Sequence, residues 1–71
     1  MTDSVYRVIE LIGSSAESWE KAAENAVTEA NAVFKDLRVA EVVEMDVLIE
    51  DGAVIAFRTK LQLSYKHTTA D

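Results

Sequence analysis

VAEVVEMDVLIEDGAVIAFRTKLQLSY, residues 39–65, reads as one long β-hairpin and decides the fold. β-Branched and apolar residues alternate with charged ones on both sides of Glu50-Asp51-Gly52-Ala53, the strongest turn signal in the chain. A three-residue loop with Gly52 in the left-handed region would pair Ile49 with Ala53. That register sets Val47 opposite Ile55, Met45 opposite Phe57, Val43 opposite Thr59 and Glu41 opposite Leu61, an apolar face except near its end. The other face then places Glu44 opposite Arg58, Asp46 opposite Ala56, Val42 opposite Lys60 and Ala40 opposite Gln62. A two-residue loop would slip the pairing by one and set Phe57 against Asp46, so the bulged form is preferred.

Upstream of the hairpin, residues 5–12 alternate as a strand with apolar residues on both faces. Gly13 permits a tight turn, and Ser14 with Glu17 forms a capping box for a helix over residues 15–35. Trp19, Ala22, Ala23, Ala26, Val27, Ala30, Val33 and Phe34 form its apolar stripe. Trp19 starts that stripe and reads as a packing residue, and Glu17 with Lys21 adds an i,i+4 pair. The stripe is mostly alanine, which lets a helix lie close to a sheet. The expected class is α+β in the order β-α-β-β, a three-stranded antiparallel sheet partly wrapped around one helix, as a single domain over residues 1–71. One helix of about 30 Å covers only one sheet face. Because a core this small supplies only about 3–5 kcal/mol, the other face is expected to be buried by further copies of the chain.

Composition narrows the function. Thirteen acidic against seven basic residues give a net charge of −6, which disfavours a nucleic-acid backbone as partner and favours cations. With no cysteine, disulfides and thiolate zinc sites are excluded. The amino-terminal residues lack a basic region before an apolar stretch, and no run approaches the ~18 apolar residues of a membrane span. A cytoplasmic protein with no membrane partner is expected.

Catalytic constellations are not found. The sole histidine, His67, adjoins a Thr-Thr tail and reads as a surface residue, with residues 67–71 expected to fray. Two glycines 39 positions apart write no phosphate-binding loop. Carboxylates are the abundant chemistry, densest at Glu41, Glu44, Asp46, Glu50 and Asp51. The ordinary reading of any one is a solvated strand or turn residue. Symmetry would triple a carboxylate near a threefold axis, however, and three carboxylates with waters can satisfy the six to eight oxygens calcium takes. Glu44 and Asp46 are the candidate ligands, followed by Glu50 and Asp51.

VYRVIELIGSS, SWEKAAENAVTEA, AEVVEMDV and DGAV, in that order over most of the chain, resemble the dodecins. The resemblance implies a small β-α-β-β protein of which twelve copies form a hollow shell with cubic symmetry. It also implies flavin binding, with isoalloxazine rings stacked between a tryptophan starting the second strand and a glutamine in the third. Val39 stands where the family has that tryptophan, Arg58 where it has the glutamine, and Asp46 where many bacterial members have an arginine. An aromatic stacking pair contributes about 0.5–1.5 kcal/mol beyond its buried area, so flavin affinity should fall by an order of magnitude or more. Arg58 offers donors only where glutamine offers a donor and an acceptor. The resulting expectation is a non-enzymatic homododecameric shell that holds a small ligand, calcium first, with a degenerate flavin pocket at Val39, Asp46 and Arg58. Two alternatives stand beside it: an FMN or riboflavin storage protein in which Arg58 meets the FMN phosphate, and an interaction shell without a small ligand.

Overall fold

The computed structural model describes residues 4–67, in the order β1 Val5–Ser15, α1 Trp19–Asn31, β2 Leu37–Glu50 and β3 Ala53–His67. The sheet order is β1-β3-β2 with antiparallel neighbours, so the chain has the expected β-α-β-β architecture with β3 at the centre. Beyond β3, the tail expected to fray lies outside the described residues from position 68 onward.

Ala22, Ala26 and Ala30, at four-residue steps, are the buried residues of α1. They bring the helix onto the centre of the sheet, where Leu61 and Leu63 are buried beside them and Ile9, Leu11, Ala23, Val27, Phe34 and Leu37 pack around. Thr59 is buried too, and its hydroxyl donates to the Trp19 carbonyl at 2.9 Å, so the polar atom keeps a partner.

The helix is shorter than its apolar period suggests. It spans 13 residues, about 20 Å, against strands of 14 and 15 residues. Its N-cap is Ser18, whose side chain accepts from the Lys21 backbone N–H. The expected Ser14–Glu17 box does not form; Ser15 Oγ instead accepts from Glu17 N in the approach to the helix. Lys21 pairs with Glu24 at 3.2 Å rather than with Glu17.

Gly13 is not a turn residue. It lies inside β1, buried and paired with Thr59, where the chain passes beneath the helix. A Cβ at this position would overlap the Ala22 carbonyl oxygen and sit 3.0 Å from the Ala26 Cβ. The absence of a side chain lets strand and helix approach.

The hairpin register differs from the expected one. Glu50 pairs with Ala53 across a two-residue turn, with Asp51 at φ 52° and Gly52 at φ 78°. Two consecutive left-handed residues are what the favoured two-residue hairpin turn requires, and Asp-Gly supplies them at low cost. The slip that argued against this turn is corrected one step later. Leu48 pairs with Ala56 but Ile49 with Val54, leaving Ile55 as an extra residue. Val47 therefore meets Phe57, Met45 meets Thr59 and Asp46 meets Arg58, while Glu44 meets Lys60. Two further irregularities, at Val43 and Arg38, bend β2 along the rest of its length.

Candidate functional site

Alternation along β3 sends Thr59, Leu61 and Leu63 toward the helix and Arg58, Lys60 and Gln62 to the opposite face. That second face carries a ladder of charges across all three strands. Arg58 donates from Nε to Asp46 Oδ1 and from Nη2 to Asp46 Oδ2, both at 2.7 Å. Lys60 lies between Glu10 at 3.9 Å and Glu44 at 3.8 Å, and Gln62 donates to Glu10 at 3.4 Å. Val8 and Ile12 on β1 flank this ladder as exposed apolar side chains. The uncovered face is thus polar along β3 and apolar toward β1.

The Asp46–Arg58 contact is short, bidentate and charge-assisted, the strongest geometry available to such a pair. Hydrogen bonding from Arg58 holds the Asp46 carboxyl below its usual range, and Asp46 in turn raises the Arg58 guanidinium. The side chains remain 50% and 36% exposed. Two of the three residues assigned to the degenerate flavin pocket are therefore joined. Arg58 was expected opposite Glu44; the two-residue turn and the bulge at Ile55 together give it Asp46 instead.

Val39 is elsewhere. It pairs with Ser64, six positions along β3 from Arg58, about 20 Å away. It is 60% exposed and borders a small cleft with Val27, Leu37, Arg38, Ala40 and Leu63. No flat aromatic side chain occupies this end of β2. Within one chain, Arg58 does not line the cleft at Val39.

The four carboxylates proposed from sequence separate into two sets. Glu44 and Asp46, two positions apart, share the uncovered face, and each faces a cation. Glu50 and Asp51 lie at the hairpin tip, with Glu50 four positions and about 13 Å from Asp46. Among the described residues, no three of His, Cys, Asp or Glu converge as a metal site. Calcium takes six to eight oxygens at about 2.3–2.6 Å, more than any cluster among the described residues of one chain supplies.

Trp19 holds a position that helical spacing did not disclose. It packs edge-on against Phe57, ring centroids 5.0 Å apart, and its indole Nε1 donates to the Asp46 carbonyl at 3.0 Å. The packing reading accounts for the ring, but the hydrogen bond to the Asp46 carbonyl had no sequence signal. Trp19 also borders a cleft of about 260 Å³ with Glu20, Ala23, Val42, Met45 and Thr59.

Comparison with known proteins places these features. Residues 5–68 match the Dodecin family. The chain is 46% identical over 63 residues to the calcium dodecin of Mycobacterium tuberculosis, covering 89% of each protein. A dodecin structure from Streptomyces coelicolor superposes with a TM-score of 0.91 at 33% identity, covering 99% of this chain and 100% of that one. The crystal structure of the Mycobacterium tuberculosis calcium dodecin, described as a calcium-chelating antigen with a novel calcium-binding site, superposes with a TM-score of 0.82. It is 42% identical over 96% of this chain and 97% of that one.

Proposed function

The chain belongs to the dodecin family, and from that premise we propose that it forms a non-catalytic homododecameric shell that holds calcium between copies, with the flavin site lost. The observation that carries this reading is the Asp46–Arg58 pair. It occupies both polar positions that the resemblance assigns to flavin contact, and Val39 leaves no aromatic platform beside them.

The cation is supported from two directions. A relative 46% identical is a calcium dodecin, and this chain carries a formal charge of −6 per copy. No three potential ligands converge among the described residues, which supports a site shared between copies. Glu44 is the better candidate on the uncovered face, since its contact with Lys60 at 3.8 Å is long while Asp46 is held by two short bonds. Glu50 and Asp51 are the remaining candidates, exposed at the hairpin tip. Calcium bound there would bridge copies and neutralise carboxylates that the assembly crowds together.

The flavin-storage alternative is disfavoured by the same pair, because Arg58 would have to leave Asp46 to meet a phosphate. Melting curves with calcium and with chelator test the proposal. A ligand that binds only the assembled state raises its melting temperature by mass action. The shift should disappear in Glu44→Gln or in Glu50→Gln with Asp51→Asn, and persist where the altered carboxylate is only solvated. Identical curves in the two buffers would defeat the calcium reading.

A further inference from the structure

α1 and the charge ladder lie on opposite sides of the sheet, yet one side chain connects them. Trp19 is the first residue of the helix, directly after its N-cap Ser18. Its carbonyl accepts from the buried Thr59 hydroxyl, its ring meets Phe57 edge-on, and its indole N–H reaches the peptide carbonyl of Asp46. These three contacts grip both sides of the hairpin. Thr59 and Phe57 flank Arg58 on β3, and Asp46 is the partner of Arg58 on β2.

From this geometry we infer that Trp19 is a positioning residue, whose indole fixes the Asp46 peptide so that the Asp46 carboxylate meets Arg58 in its bidentate arrangement. β2 needs such an anchor here. It is an edge strand with its pairing interrupted at Val43 on one side of Asp46 and shifted between Leu48 and Ile49 on the other. The helix contacts β2 far less than it contacts β1 or β3, so few other groups can hold this stretch against the helix. A bidentate fork tolerates little displacement of the carboxylate. Loss of the indole hydrogen bond frees the Asp46 peptide and loosens the fork, while the ring contact with Phe57 preserves the packing. Trp19 thereby sets how firmly Asp46 holds Arg58 and keeps the former flavin-contact position closed, a role that rests on the proposed loss of the flavin site.

The test reads the pair in ligand-free, chelator-treated protein, so its outcome is independent of what the shell holds. In the full-length isotope-labelled chain, the Arg58 Nε–H exchange rate reports the fork directly. Trp19→Phe retains an aromatic ring but removes the donor, and should accelerate that exchange by about fivefold, the net effect of one hydrogen bond. Ala30→Gly, at the other end of the helix, destabilises α1 without touching this network and should leave the Arg58 exchange unchanged. Equal rates in Trp19→Phe and the unaltered chain, or an equal acceleration in Ala30→Gly, would overturn the assignment. Should Trp19→Phe fail to fold, the unaltered chain still decides: with one tryptophan present, its single indole N–H signal should exchange about fivefold more slowly than free indole, and a free-indole rate would overturn the proposal.

Discussion

Replacing Gly13 with alanine should loosen the helix from the sheet, because the new methyl group enters space already occupied by backbone. Its Cβ would overlap the Ala22 carbonyl oxygen and lie 3.0 Å from both the Ala22 carbonyl carbon and the Ala26 Cβ. Two carbon atoms in ordinary contact stand about 3.5–4.0 Å apart. Relieving the contact with Ala26 alone therefore requires a separation of about 0.5–1 Å, and the overlap with the oxygen requires more. No rotamer change can provide it, since the obstruction is the helix itself. The movement would draw Ala22, Ala26 and Ala30 away from Leu61 and Leu63, which form the centre of the core. Overpacking of a well-packed core costs about 1–3 kcal/mol and occasionally more. With backbone as the obstacle, we expect about 3 kcal/mol or above for Gly13→Ala. Urea unfolding at one fixed protomer concentration measures it, the concentration being held because association contributes to stability. A loss below about 1 kcal/mol would refute the close approach of β1 and α1 as the reason for glycine at this position.

Three further outcomes follow from the same geometry. Gly52→Ala should cost about 1–2 kcal/mol by urea unfolding, since its φ of 78° is unfavourable for a Cβ while the surrounding space is open; a neutral result would refute the two-residue turn. Asp46 has a folded pKa depressed by Arg58, so its stabilising contribution is present above the unfolded value of about 4 and is lost as pH falls through the folded value. Melting temperatures of Asp46→Asn should therefore lie below those of the unaltered chain near neutrality and converge with them in acid; parallel curves would count against the pair. The double change Val39→Trp with Arg58→Gln should raise flavin affinity by at least about tenfold, measured by quenching of flavin fluorescence, and tight flavin binding by the unaltered chain would contradict the loss of that site.

The order of elements was legible because each part of the chain has one dominant period. Alternation in residues 5–12, the alanine stripe in α1 and the place of the hairpin turn survive in the structure, the turn with two residues instead of three. Their boundaries were less legible. Val33 and Phe34 continue the helical spacing of the stripe, yet the helix ends at Asn31 without glycine or proline to signal it. The chain then turns through Asp36 at φ 61°, a conformation that an aspartate tolerates but does not announce. Ser14 reads as the cap in one dimension, whereas the helix begins at Trp19 with Ser18 as its N-cap.

The site was harder to read than the fold because it depends on register. The expected three-residue loop puts Asp46 opposite Ala56, whereas the two-residue turn and the extra residue at Ile55 each shift the pairing by one and put it opposite Arg58. Such a bulge adds no distinctive residue to the sequence. The Asp46 carbonyl lies 27 positions from Trp19 in sequence and 3.0 Å from its indole nitrogen, a long-range contact that helical spacing does not announce, so tryptophan read as packing alone. The structure places Glu44 and Asp46 as neighbours on one face, but their cations, Lys60 and Arg58, followed only from the observed pairing. Val39 and Arg58, grouped by resemblance, are separated by six positions of β3 in one chain.

Assembly and calcium are tested together by native mass spectrometry of chelator-stripped protein before and after calcium is restored. The account predicts one dominant species at about twelve times 7.8 kDa, gaining mass in discrete calcium steps that chelator reverses and that Glu44→Gln or the Glu50→Gln, Asp51→Asn pair diminishes. A protomer or dimer as the dominant species, or a dodecamer that takes up no calcium, would contradict it.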